Sequence, residues 1–181
     1  NTSIANTGDI ILGNSVINVG NPAQSSYSVG IYGDNSLINN TGKITLGSNG
    51  VGIYAKNNAT AAVNAGRIES TEYGAVGVFA DNGTVKNLGT IALSGDNSIG
   101  MAGRTNSTII NDGQIIINGN NGIGMYVTNN SHLYNNNIIT INGMNGIGIQ
   151  IGNTSTLENR GTINLNGVNG QSIIYGEGTS Y

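Results

Sequence analysis

Nine acidic residues, six basic ones and a single histidine are all the chain offers for acid–base or ionic chemistry. Enzymes that cleave polysaccharides need two or more carboxylates converging on one face, often beside Arg or Lys. Counting four places on from a recurring mid-segment glycine gives Asp34, Lys56, Asp81 and Arg104, then Thr128 and Gly152. This column alternates in sign, the pattern of an exposed ion-pair ladder in which each contact contributes about 0–1 kcal/mol. A second column holds Asp9, Lys43 and Arg67, then Thr90, Gln114, Ile138 and Thr162. A catalytic acid and base pair in the first column is one place where a carbohydrate-cleaving site could be assembled; Glu69 and Glu72, sharing a patch with Lys43 and Arg67, are another.

Other chemistries find less support. His132 sits among Thr, Ser and Asn without nearby carboxylates, which suits a solvated turn better than a metal ligand or proton relay. Zero cysteines exclude disulfides, thiol nucleophiles and thiolate-bound metals. No helix follows any glycine-rich stretch, so none reads as a phosphate loop, and the Asp-bearing calcium nonapeptide is missing. The expectation is no catalytic residue, no cofactor and no metal. Only 8% of residues are charged and the net charge is −3, so no basic stripe exists to neutralise phosphates and nucleic acid is excluded as a partner. No apolar run approaches the roughly 18 residues needed to cross a bilayer, so this segment is not expected to insert in a membrane.

The elements that position these columns recur. Asn-x-Gly followed by an alternating apolar run begins at Asn6, Asn40, Asn64, Asn87, Asn111 and Asn159, and Asn135-Asn136-Asn137 fills the remaining slot. Successive starts lie 34, 24, 23, 24, 24 and 24 residues apart, a period that marks a solenoid whose repeats bury their apolar faces only by stacking. Within each repeat come three short segments. Ile91-Ala92-Leu93 exemplifies the first, Val51-Gly52-Ile53-Tyr54 the second, and the third runs through Ile38, Ala62, Val85, Ile109, Leu133 and Leu157. Three strands in about 24 residues, separated by Gly, Asn, Asp and Ser, predict an all-β, right-handed parallel β-helix of about seven coils. At about 4.8 Å per coil the rod is on the order of 30 to 35 Å long, and residues 1–181 read as one piece of a longer array. The repeat Asn shares the inward parity of the apolar residue two places earlier, so its amides are expected to form a ladder from coil to coil.

Two further features exceed packing needs. Glycines 30, 52, 77, 100, 124 and 148 fall mid-strand, and the column Tyr32, Tyr54, Phe79 and Tyr126 follows two places later. With the flanking Val and Ile in the core, both columns are expected to face outward, a smooth glycine strip beside exposed rings; the alternative is an inward-facing strip that keeps a thin core evenly filled. Tyr32, Tyr54, Phe79 and Tyr126 are therefore the candidate binding residues. The first repeat carries about ten extra residues within 14–26, including the only proline, Pro22; this reads as a projecting loop, or as a local strand through Val16–Val19. Asn-x-Ser/Thr triplets at Asn1, Asn39, Asn58, Asn82, Asn106, Asn129 and Asn153 keep nearly the same period and mark a repeated turn.

The combination Asn-x-Gly-x-Ile-x-Leu…Gly-Val-Gly-Ile-Tyr-Ala, intact from Asn40 to Ala55 and nearly so from Asn111 to Val127, resembles the passenger repeats of large bacterial autotransporter adhesins, most closely the fusobacterial, RadD-like type. The resemblance covers essentially the whole chain. It implies a type V-secreted protein displayed on the cell surface, anchored in the outer membrane by a translocator β-barrel C-terminal to this segment. It also implies a protein or glycan partner on host cells or other bacteria. The expected function is thus a non-enzymatic adhesin segment, both rod and binding surface. A polysaccharide lyase or hydrolase on the same scaffold, and a pure structural spacer, are the alternatives.

Overall fold

The computed structural model describes residues 2–57 and 62–176. It is a right-handed parallel β-helix of three seven-stranded sheets, with no α-helix among the described residues. Each coil contributes one strand to each sheet. The isoleucine sheet comprises Asp9–Ile11, Lys43–Thr45, Arg67–Ser70, Thr90–Leu93, Gln114–Ile117, Ile138–Ile141 and Thr162–Leu165. The glycine sheet follows, with Val29–Asp34, Val51–Lys56, Val76–Asp81, Ile99–Arg104, Ile123–Val127, Ile147–Ile151 and Gln171–Tyr175. The asparagine sheet comprises Thr2–Asn6, Ser36–Asn40, Ala62–Asn64, Thr84–Asn87, Thr108–Asn111, His132–Asn135 and Thr156–Asn159.

Like side chains stack because every strand pairing within the three sheets is parallel and in register: Ile91 opposes Ile115, and Ile115 opposes Ile139. In a central coil Ile91, Leu93, Met101 and Ile109 are fully buried, each contributing about 1.5–3 kcal/mol of burial free energy. At the two ends Ile4, Ile10, Leu12, Leu157, Ile163 and Leu165 are only partly covered, since a terminal coil has a neighbour on one side only.

The expected amide ladder runs unbroken. Nδ2 of Asn6 donates to Oδ1 of Asn40 at 2.8 Å, and the same contact repeats through Asn64, Asn87, Asn111 and Asn135 to Asn159 at 2.7–2.9 Å. Asn40, Asn64, Asn87, Asn111 and Asn135 are completely buried. The glycine two places later has its own cause. A Cβ at Gly42, Gly66 or Gly89 would overlap the carbonyl oxygen of the glycine one coil before. Asn137 occupies that slot in its coil and sends its amide to the Asp112 carbonyl at 2.8 Å.

The corners use residues that tolerate the left-handed region. Asn49, Asn97, Asn121, Asn145 and Asn169 turn the chain from the isoleucine to the glycine sheet at φ of 53–59°, with Gly74 in the equivalent place at 68°. Asn35, Asn57, Asn82, Asn106 and Asn129 adopt similar angles after the glycine sheet. Of the triplet asparagines, Asn82, Asn106 and Asn129 therefore do mark a repeated turn, whereas Asn39 lies in a strand; Asn1 and Asn58 fall outside the described residues. The extra residues 14–26 form a projecting loop pinched by a single antiparallel bridge between Val16 and Ser26, with a short 3-10 turn at Pro22–Gln24. Val16–Val19 do not form a strand, because only Val16 finds a backbone partner there.

The glycine strip does not face outward. In Val51–Lys56 both Gly52 and Ile53 are buried while Val51 and Tyr54 are half-buried, so the in–out alternation slips by one residue at the glycine. A Cβ on Gly52 would stand 2.9 Å from Ile68 Cγ2 and 2.5 Å from the Gly77 carbonyl oxygen, and Gly77 meets Ile91 and Gly100 in the same way. The column is glycine because the glycine and isoleucine sheets approach too closely there for a side chain.

Candidate functional site

Beyond the slip, alternation is regular again: Tyr54 points outward, Ala55 inward and Lys56 outward. The outer face of the glycine sheet thus carries the aromatic and charged columns side by side. Tyr32 and Tyr54 meet edge to face with ring centroids 5.3 Å apart, and Tyr54 meets Phe79 likewise at 5.1 Å. Such pairs contribute about 0.5–1.5 kcal/mol beyond burial. The row ends at Phe79 because register places Ala102 between Phe79 and Tyr126. Three of the four candidate residues come together, and Tyr126 stands apart. Tyr32 remains 48% exposed, and Tyr54, Phe79 and Tyr126 are half-buried.

Arg104, two places after Ala102, leans back over the row. Its guanidinium carbon lies 5.3 Å from the Phe79 ring centroid, and Nη2 lies 3.0 Å from Asp81 Oδ2. Register aligns Asp34, Lys56, Asp81 and Arg104 as expected, yet among the described residues the ladder closes as an ion pair only between Asp81 and Arg104. Asp34 instead accepts hydrogen bonds from Asn57 Nδ2 at 3.0 Å and the Tyr32 hydroxyl at 3.4 Å. Partial burial of Asp81 acts to raise its pKa, but hydrogen bonds from Arg104 and Thr105 outweigh it and the carboxyl titrates below its ordinary range. The reciprocal hydrogen bond to Asp81 holds Arg104 above its ordinary value.

The half-buried Val29, Val51, Val76, Ile99, Ile123 and Ile147 border the rings. They add apolar area to this face, in place of the expected smooth glycine strip. Sequence reasoning assigned them to the core; the signal that could have corrected it is the β-branched residue before each mid-strand glycine.

On the isoleucine sheet the second charged column is also in register, from Asp9 through Lys43 and Arg67 to Thr90. Glu69 is shared by Lys43 Nζ on one oxygen and Arg67 Nε on the other, both at 2.5 Å. Hydrogen bonds from Arg67 first and Lys43 second hold its carboxyl below the usual range. Glu72 does not join this patch. It accepts from Ser48 and Thr71 at 3.3 Å each. His132 Nδ1 lies 2.6 Å from Thr156 Oγ1, and among the described residues no three His, Asp or Glu side chains gather as a metal site.

A family model described as the BigA third pectate lyase-like domain matches residues 69–178, more than half of the chain. No curated protein and no solved structure gives a significant match. The matched span takes in the coils from Glu69 onward, including Asp81, Arg104, Tyr126 and the central part of the amide ladder. The chain belongs to the family of BigA third pectate lyase-like domains.

Proposed function

We propose that this chain is a non-enzymatic segment of a surface-displayed bacterial autotransporter adhesin. In this reading the rod holds the outer face of the glycine sheet toward a protein or glycan on host cells or other bacteria. The observation that carries the proposal is the outward-facing edge-to-face row of the exposed Tyr32 and the half-buried Tyr54 and Phe79, closed by the Arg104–Asp81 pair. Aromatic anchors that need no further ordering dominate binding energy at interfaces. Membership in a family named for BigA supports the adhesin reading. Secretion by the type V route, and outer-membrane anchoring through a part of the parent protein outside this segment, belong to the same proposal.

Three of the carboxylates are poorly suited to act as a general acid. A general acid must hold a proton near neutral pH, whereas Glu69, Asp81 and Asp112 are each kept ionised by a basic neighbour. The test is attachment of fragment-coated beads to bacterial and epithelial cells. Tyr32→Ser, Tyr54→Ser and Phe79→Ser combined should lower attachment at least tenfold while the circular dichroism spectrum is retained. Undiminished attachment would refute the aromatic face, and no attachment by the wild type would favour the spacer. Release of reducing or unsaturated sugar ends from a polysaccharide panel, lost on Glu69→Gln, would establish the enzyme instead.

A further inference from the structure

The isoleucine sheet carries a second surface feature, independent of the aromatic face. Its outward column runs Thr45, Glu69, Ala92, Ile116, so the single methyl of Ala92 stands between two large side chains. There the surface dips into an open depression of about 260 Å³, whose walls include Arg67, Glu69, Thr71, Ser94 and Asn118. The lining groups have hydrogen-bonding capacity to spare. Asn118 gives one N–H to Ser94 Oγ at 3.0 Å, and Asn142 occupies its Oδ1 at 2.7 Å. Asn118 therefore retains one N–H, and Ser94 retains its hydroxyl proton. Arg67 uses Nε on Glu69, which leaves its terminal N–H groups. Each Glu69 oxygen holds one cation and keeps lone-pair capacity.

Donors and acceptors thus stand close together around a small apolar floor. Vicinal hydroxyls, each both donor and acceptor, match such a rim, and the C–H face of a sugar ring matches a methyl floor. Charge decides the type of sugar. The charged groups that line the depression are Arg67 and Glu69, one positive against one negative and paired with each other, so the lining offers no net attraction to a carboxylated or sulfated residue. We propose that this depression is a binding subsite for a neutral, hydroxyl-rich saccharide residue.

The test uses the whole chain with its alanine methyl groups isotope-labelled, titrated with the methyl glycosides of glucose, galactose, mannose and N-acetylglucosamine, and with glucuronate as the anionic probe. At least one neutral glycoside should shift the Ala92 methyl resonance saturably, with a Kd of about a millimolar, as one small ligand in an open site allows. Ser94→Ala should weaken it about fivefold, the equivalent of one hydrogen bond. Ala92→Leu should weaken it at least tenfold by filling the floor. Because Ile116 already occupies this column, Leu is compatible with the coil, and an unchanged circular dichroism spectrum verifies this. No shift at Ala92 with any neutral glycoside, or binding that survives Ala92→Leu within twofold, would overturn the subsite. Glucuronate binding more tightly than every neutral probe would overturn its neutral character. Neither outcome bears on the aromatic face, whose failure appears only in the cell-attachment assay.

Discussion

Replacing Asn111 with Leu removes one rung from the middle of the amide ladder. Asn111 is fully buried, accepts from Asn87 Nδ2 at 2.9 Å and donates to Asn135 Oδ1 at 2.9 Å. Without it, Asn87 Nδ2 falls back on the carbonyls of Gly89 and Gln114, both 3.3 Å away. Asn135 Oδ1 has no such fallback and becomes a buried acceptor without a donor. A group stranded in this way costs about 1–3 kcal/mol, and the added apolar contacts of Leu return part of that. The net expectation is about 2 kcal/mol, or about 4–8 °C in melting temperature for a chain of this size. Thermal and urea unfolding followed by circular dichroism measure it. Asn159→Leu is the internal control. Asn159 only accepts, from Asn135, and stands exposed at the last coil, so water can replace it and the cost should stay below about 1 kcal/mol. Asn111→Asp adds a test of sign. A buried carboxylate cannot donate to Asn135, but a protonated one can, so its folded pKa rises above the unfolded value. The resulting penalty is full at neutral pH and shrinks as pH falls through that raised pKa. Equal stability of Asn111→Leu and wild type, or equal losses at 111 and 159, would refute the ladder's contribution.

Gly100→Val should destabilise by more than about 3 kcal/mol and reduce soluble yield, because its Cβ would lie 2.5 Å from the Gly124 carbonyl oxygen and 2.6 Å from Ile115 Cγ2; a stable variant would show that the column is not close-packed. Arg104→Ala should change stability by less than about 1 kcal/mol in urea, since its partner pair with Asp81 is solvent-accessible. Acid should weaken the fold through Glu69, Asp81 and Asp112. Their folded pKa values lie below 4.5 for Glu69 and 3.8 for the two aspartates, so the stabilisation is complete above those values and is lost as pH falls through the lower folded ones. A urea midpoint that stays flat from pH 7 to 5 and drops below about pH 4 fits this; a rise below pH 4 contradicts it.

Much of the architecture was legible because each column answers to one physical demand. The inward Ile of the first segment, the corner Asn and the repeat Asn each recur at one parity, and the stacked structure has no other way to satisfy them. The mid-strand glycine was misread because apolar residues flank it on both sides. With no side chain of its own, it satisfies either parity, and only the close approach of Ile68 to Gly52 resolves which way it points. The break between Phe79 and Tyr126 was already visible as Ala102 in the aromatic column. That Arg104 would lean back over Phe79 was not, because a long side chain's direction does not follow from period. The depression at Ala92 was hidden for a related reason. It needs Ser94 and Asn118, which belong to corners of two different coils, to face the small member of a strand column.

Every rung of the buried ladder points the same way, from Asn6 toward Asn159. The rod therefore has a sense as well as an axis: between neighbouring coils the amide N–H always faces the later coil and the amide oxygen the earlier one. A coil stacked in the reversed sense would set N–H against N–H on one side and oxygen against oxygen on the other in a dry core, at the cost of unmade hydrogen bonds.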